Sequence, residues 1–113
     1  MFAVIYRGYV KPGKEPEYRE AWKTVARYFI EERGAIGSCL HRTSDGLWVA
    51  YSKWPDEKTR DASWPKENAA LSNELPQKVK EAILIIKESL EQERKFPEIC
   101  MEVVEDLRAP SIN

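Results

Sequence analysis

An α+β fold with the element order β-α-β-β-α-β is what this sequence predicts, and three patterns predict it. Two long stretches, Pro16 to Arg33 and Pro76 to Arg94, repeat their apolar residues at helical spacing. Four other runs are rich in β-branched and aromatic side chains, as strands are. An Asp-Gly step, Asp45-Gly46, joins the second and third of these runs and marks a hairpin. The chain has 113 residues, which fits one domain over 1–113 with a core that needs no disulfide or metal staple.

Phe2 to Val10 reads as the first strand. Phe2, Val4, Tyr6, Gly8 and Val10 lie on one face, and Ala3, Ile5, Arg7 and Tyr9 on the other. Both faces carry apolar residues, so cover on both sides is expected. Lys11-Pro12-Gly13-Lys14 breaks the strand. The first helix then shows Tyr18, Trp22, Val25 and Phe29 as one stripe, widened by Ala21 and Ala26. Glu15 and Glu17 at its start and Arg33 at its end complement the helix dipole, and Gly34 stops it. Ile36 to Thr43 and Leu47 to Trp54 form the hairpin strands around Ser44-Asp45-Gly46. Pro55 ends the third strand, and Asp56 is a natural N-cap for a short helix towards Trp64. The last helix carries Leu75, Val79, Ala82, Ile83, Ile86 and Leu90 as its stripe. Phe96-Pro97 closes it, Ile99 to Leu107 forms the fourth strand, and Arg108 to Asn113 is a loose tail. This order is the ferredoxin-like split unit, a four-stranded antiparallel sheet with its helices on one face. Helices on one side leave the second apolar face needing a partner, and a symmetric homodimer is the expected one.

Apolar residues make up 42% and charged residues 33%, a globular balance. Basic and acidic residues nearly cancel, 18 against 19, so no nucleic-acid footprint exists. No run is long enough to span a membrane, and the N-terminal apolar stretch is too short for a signal peptide, so a cytoplasmic protein is expected. Cys39 and Cys100 form no C-x-x-C pair, and with His41 as the single histidine no zinc set exists. Both thiols are expected as small buried hydrophobes in a reducing compartment. Glu31-Glu32 and the Glu102, Glu105, Asp106 group lack metal-loop spacing, and the five glycines are too scattered for a phosphate loop. Metal catalysis, nucleotide hydrolysis and dinucleotide redox chemistry are therefore not first choices.

The stretch Asp45-Gly46-Leu47-Trp48-Val49-Ala50-Tyr51-Ser52-Lys53-Trp54-Pro55-Asp56, continuing to Ala62-Ser63-Trp64, resembles the antibiotic biosynthesis monooxygenase domain. So does the opening strand with the amphipathic helix that follows. The resemblance implies a dimeric α+β barrel in which two sheets pack face to face. It also implies a small apolar or aromatic ligand and oxygenation of a quinol-like molecule without a bound cofactor. Enzymes of this family use an Asn on the first strand and tryptophans near the third. Here Trp54 and Trp64 stand where such tryptophans would be, but the first strand offers Tyr6 and Arg7 and no Asn. Haem-degrading members place a ligating His after the third strand; residues 68–77 hold no His, and Asn68 and Asn73 are the candidate side-chain donors there.

The candidate site follows from both readings. Trp48, Trp54 and Trp64, with Tyr6 and Tyr51, are the candidate substrate-binding residues, because flat ligands stack on aromatic walls. The same side chains serve equally as core and interface fillers. His41 is the candidate general base, its ordinary pKa lying near neutrality, and Arg7 the group that stabilises the resulting anion. No metal ligand and no cofactor are expected. A non-catalytic binding or dimerisation domain stays open, as does an isomerase or decarboxylase on the same fold.

Overall fold

The computed structural model describes residues 1–65 and 72–110. Its elements are β1 (Phe2–Tyr9), α1 (Glu15–Glu32), β2 (Gly37–Arg42), β3 (Leu47–Trp54), α2 (Glu57–Ser63), α3 (Gln77–Ser89) and β4 (Ile99–Glu102). The four strands form one antiparallel sheet in the order β2-β3-β1-β4, the ferredoxin-like arrangement.

The register fixes which side chains share a face. Tyr6 pairs with Ala50 and Phe2 with Trp54. Leu40 pairs with Ala50 and Ser38 with Ser52. These residues, with Val4, form the face that meets the helices. Phe2, Val4 and Trp54 pack with Phe29 of α1, Leu75, and Val79 and Ile83 of α3. A second cluster, Val10, Tyr18 and Trp48, closes the other end with Leu40, Ile86 and Leu90 around it. The opposite face carries Ile5, Arg7, Cys39, His41, Val49, Tyr51, Lys53 and Met101, and neither cluster draws on it.

Local chemistry explains the boundaries. The hairpin closes through Gly46 N–H donating to the Thr43 carbonyl at 3.0 Å, and Gly46 takes φ +90°. With no positive φ at Ser44 or Asp45, the loop is a type I turn followed by a glycine bulge, not a two-residue loop. Asp56 Oδ1 accepts from Thr59 N–H at 2.7 Å and caps α2, as the sequence predicts.

Three expectations are corrected. The last helix ends at Ser89 instead of Arg94. Leu90 turns extended, and Lys11 N–H to the Ser89 carbonyl and Glu91 N–H to the Tyr9 carbonyl, both 2.8 Å, pair residues 89–91 with the end of β1. Gly8 allows this, since a Cβ there would sit 2.9 Å from Leu90 Cδ2. β4 stops at Glu102 instead of Leu107, because Glu102 already faces Phe2, the first residue of β1, and the pairing closes with Val103 N–H donating to the Met1 carbonyl at 2.8 Å. Cys39 and Cys100 are both exposed, not buried, because each sits on an edge strand. Among the described residues, no helix is long and apolar enough to cross a membrane.

Candidate functional site

Between the sheet and the helices lies a cavity of about 340 Å³. β1 gives it Tyr6, β3 gives Trp54, and α1 gives Trp22, Val25 and Phe29 from one stripe. α3 closes it with Ile83 and Ile86. A cavity of this size, mostly apolar with a few polar groups, is what a small-molecule site requires.

The aromatic wall is held by specific packing. Phe29 lies 4.7 Å from the Trp64 ring and 6.2 Å, edge-on, from Trp54. Tyr6 and Trp64 are 6.5 Å apart. Trp64 ends α2, and a clamp positions it. Arg33 donates to Tyr28 Oη at 2.9 Å, to the Ser63 carbonyl at 3.4 Å and to the Glu74 carbonyl at 2.8 Å. Ser63 Oγ in return donates to the Arg33 carbonyl at 2.8 Å. The ends of α1 and α2 and the segment before α3 are thereby fixed together.

Behind Tyr6 stands Arg60 of α2, only 8% exposed. Its Nη2 donates to Tyr6 Oη at 3.1 Å and to Glu98 Oε2 at 2.9 Å. Burial works against the Arg60 cation, but the Tyr6 hydroxyl and the Glu98 carboxylate outweigh it and its pKa is raised. Burial raises the Tyr6 phenol as well, beyond what Arg60 takes back, and pushes Tyr18 up to about 12. Both phenols therefore keep their protons at neutral pH.

The candidate residues are thus divided between three places. Tyr6, Trp54 and Trp64 line the cavity together. Trp48 is buried in the second cluster, edge-on to Tyr18 at 5.4 Å and beneath the Arg42 guanidinium at 5.2 Å. Arg7 and Tyr51 border the cavity, but strand alternation turns their side chains to the helix-free face. Arg7 there donates to the Pro97 carbonyl at 3.3 Å and lies over Phe96. His41 is exposed on the same face, its Nδ1 3.2 Å from the Val49 carbonyl. Arg7, Val49 and His41 share one row across three strands, so the two candidates stand about 10 Å apart at ordinary strand spacing. Asn73 is an exposed turn residue, and Asn68 lies outside the described residues. Among the described residues no group of three His, Cys, Asp or Glu gathers as a metal site.

Arg60, Glu98 and Phe29 are the site residues that the sequence did not single out. Phe29 was visible as part of a helical stripe, but nothing local announces that Arg60 meets Tyr6, 54 residues away.

Comparison with known proteins agrees with this architecture. The structure of a variant of SnoaB, a cofactor-independent oxygenase from Streptomyces nogalater, superposes with a TM-score of 0.69 at 13% identity, covering 96% of this chain and 97% of that one. Rv0793 from Mycobacterium tuberculosis gives 0.66 at 15% identity, covering 95% and 98%. A conserved protein from Methanosarcina mazei Go1 gives 0.66 at 18%, covering 88% and 89%. Likenesses at these identities establish the fold. No curated protein matches the sequence. A sequence profile, antibiotic biosynthesis monooxygenase, matches residues 1–63, more than half of the 113, and the chain therefore belongs to the antibiotic biosynthesis monooxygenase family.

Proposed function

We propose that this chain is a cofactor-independent oxygenase acting on a small aromatic or quinol-like molecule bound in the helix-side cavity, and that it works as a homodimer. The observation that carries the reading is the wall formed by Trp22, Phe29, Trp54 and Trp64, with Tyr6 as a polar handle. Such a wall binds a flat ring by stacking and keeps water from it. An electron-rich substrate anion can reduce oxygen directly. One oxygen atom then replaces two hydrogens on a substrate carbon as a carbonyl and the other leaves with those hydrogens as water, the substrate supplying all four electrons. The description of the SnoaB relative as a cofactor-independent oxygenase supports this class of reaction.

The helix-free sheet face supports the homodimer. Ile5, Val49, Tyr51 and Met101 present apolar surface there, and Ile99 is 37% exposed. A second copy laid face to face would bury it. Arg7 and His41 lie on that face, so roles as anion stabiliser and base require the substrate to reach it. Unchanged turnover in His41→Ala and Arg7→Ala would remove both from the mechanism.

A second reading is favoured by one observation: no His, Asp or Glu stands among the described lining residues of the cavity. A non-catalytic binder of the same ligands needs no base. Titration of intrinsic tryptophan fluorescence with polycyclic quinols, quinones and haem separates the cases when paired with an oxygen electrode. Saturable quenching weakened in Trp54→Phe or Trp64→Phe, with oxygen uptake, supports the oxygenase. Quenching without uptake supports the binder. No saturable quenching by any compound removes the cavity as a ligand site.

A further inference from the structure

We propose that the hydroxyls of Ser38 and Ser52 form an oxygen-binding strip on the sheet side of the cavity, and that the ligand is a fused aromatic ring carrying adjacent hydroxyl or carbonyl oxygens on one edge. The inference rests on the reading of the cavity as an aromatic-ligand site and adds which edge of the ligand is recognised and by what.

Both serines line the cavity. They face each other across β2 and β3, and strand alternation puts them on the helix side with Leu40, Ala50 and Trp54. That face of β3 runs Trp48, Ala50, Ser52, Trp54, so two small residues leave a gap between two large ones. The gap accounts for their size but not for a hydroxyl. Alanine would leave the same space without a polar group, and serine is ordinarily a surface residue. A polar side chain at a core-facing strand position breaks the packing pattern, as functional sites do. Neither hydroxyl bonds a described residue. Nor is either sealed, because the unpartnered side-chain atoms without accessible surface are Arg7 Nε and Arg60 Nε among the described residues. Two open hydroxyls without partners therefore stand side by side at the cavity surface.

Spacing and chemistry decide what the pair can take. Directly opposed residues hold their Cβ atoms about 4.5–5.5 Å apart, so two Oγ atoms on rotatable bonds can converge on one oxygen or on two adjacent ones. A hydroxyl both donates and accepts, so the strip serves a carbonyl and a hydroxyl alike. It carries no charge and asks for none. Trp54 follows Ser52 on the same face, about 7 Å along the strand, so the strip borders the aromatic wall. The Tyr6 phenol, in contrast, is already engaged by Arg60. A bare hydrocarbon in the cavity strips water from both serines and returns no hydrogen bond, whereas an oxygenated edge replaces that water. The cavity therefore selects oxygenated rings over hydrocarbons of the same shape.

Naphthalene and 2,3-dihydroxynaphthalene, which differ only in two adjacent oxygens, test this. Isothermal titration calorimetry, direct or by displacement, gives the affinity of each. The diol should bind the wild type at least about tenfold tighter than naphthalene, as two net hydrogen bonds allow. Ser38→Ala and Ser52→Ala should each cut that preference about fivefold, one net hydrogen bond apiece, and the double variant should abolish it. Naphthalene itself should bind all of them alike. If the double variant fails to fold by circular dichroism, the single variants decide. No preference in the wild type, a preference that survives the serine variants, or a loss that naphthalene shares equally overturns the strip while leaving the aromatic cavity standing. Binding of neither compound overturns the cavity reading and the strip with it.

Discussion

Truncating Phe29 to alanine tests the link between the core and the cavity, because this one ring belongs to both. It is 5% exposed and makes ring contacts with Trp64, Trp54 and Tyr28, at centroid distances of 4.7, 6.2 and 5.2 Å. Removing a buried Phe side chain costs about 3–5 kcal/mol, including the cavity left behind. Domains of this kind hold only about 5–15 kcal/mol in total, so the variant should fold with little margin. With a urea slope of about 2 kcal/mol per molar, the midpoint should fall by about 2 M. The enlarged space is walled by Trp54, Trp64 and Ile83, so it should stay dry and accept a small apolar guest such as indole. At ten times its dissociation constant, indole should restore about 1.4 kcal/mol. Urea unfolding followed by circular dichroism, with and without indole, reads both effects, and Ile85→Ala on the 39% exposed helix surface serves as control. A loss below about 1 kcal/mol, indistinguishable from that control, would show that Phe29 does not tie the helix to the tryptophans.

Three further outcomes are expected. Gly46→Ala, at φ +90°, should lose about 1–2 kcal/mol in a urea melt, since a Cβ in that conformation meets the backbone; an unchanged midpoint would mean the turn relaxes freely. Asp56 has its pKa lowered first by the Thr59 N–H it accepts, so its stabilisation is complete above the unfolded value of about 3.9 and is lost as pH falls towards the folded value. Asp56→Asn keeps a cap acceptor without titrating, so its unfolding midpoint should fall less steeply than wild type below about pH 4, and parallel curves would rule the linkage out. Val49→Asp places a charge in the middle of the helix-free face and should convert a dimer to a monomer in light scattering without unfolding it; a monomeric wild type would end the face-to-face proposal.

What the sequence made legible was whatever local patterning decides. Leu47–Trp54 forms the predicted strand to the residue, and the Asp-Gly step forms the predicted hairpin. The boundaries it missed depend on partners far along the chain. Leu90-Glu91-Gln92-Glu93-Arg94 are good helix formers and carry no stop signal. The helix yields there because residues 89–91 find backbone partners on β1 and Leu90 finds the space Gly8 leaves. Likewise Val103 to Leu107 keep strand-like composition but have run past the end of β1, and Val104 and Leu107 are 83% and 93% exposed.

The site divides along the same line, and one missed residue was within reach. Alternation along β1 already placed Tyr6 and Arg7 on opposite faces, and the register then put Arg7 and His41 in a row on the side away from the tryptophans. For Arg60 the available signal was helical spacing. Asp56 caps α2, and positions 60 and 64 lie one turn apart, hence on one face of it. If Trp64 looks into the site, the same geometry turns Arg60 toward that side. There a long cation between two sheet-side partners, a phenol from β1 and a carboxylate preceding β4, can be buried only by bonding both. A seven-residue helix thus delivers an aromatic residue to the cavity wall and a buried cation to the hydroxyl of Tyr6 behind it, and it requires one N-cap and one clamp at Arg33 to hold them.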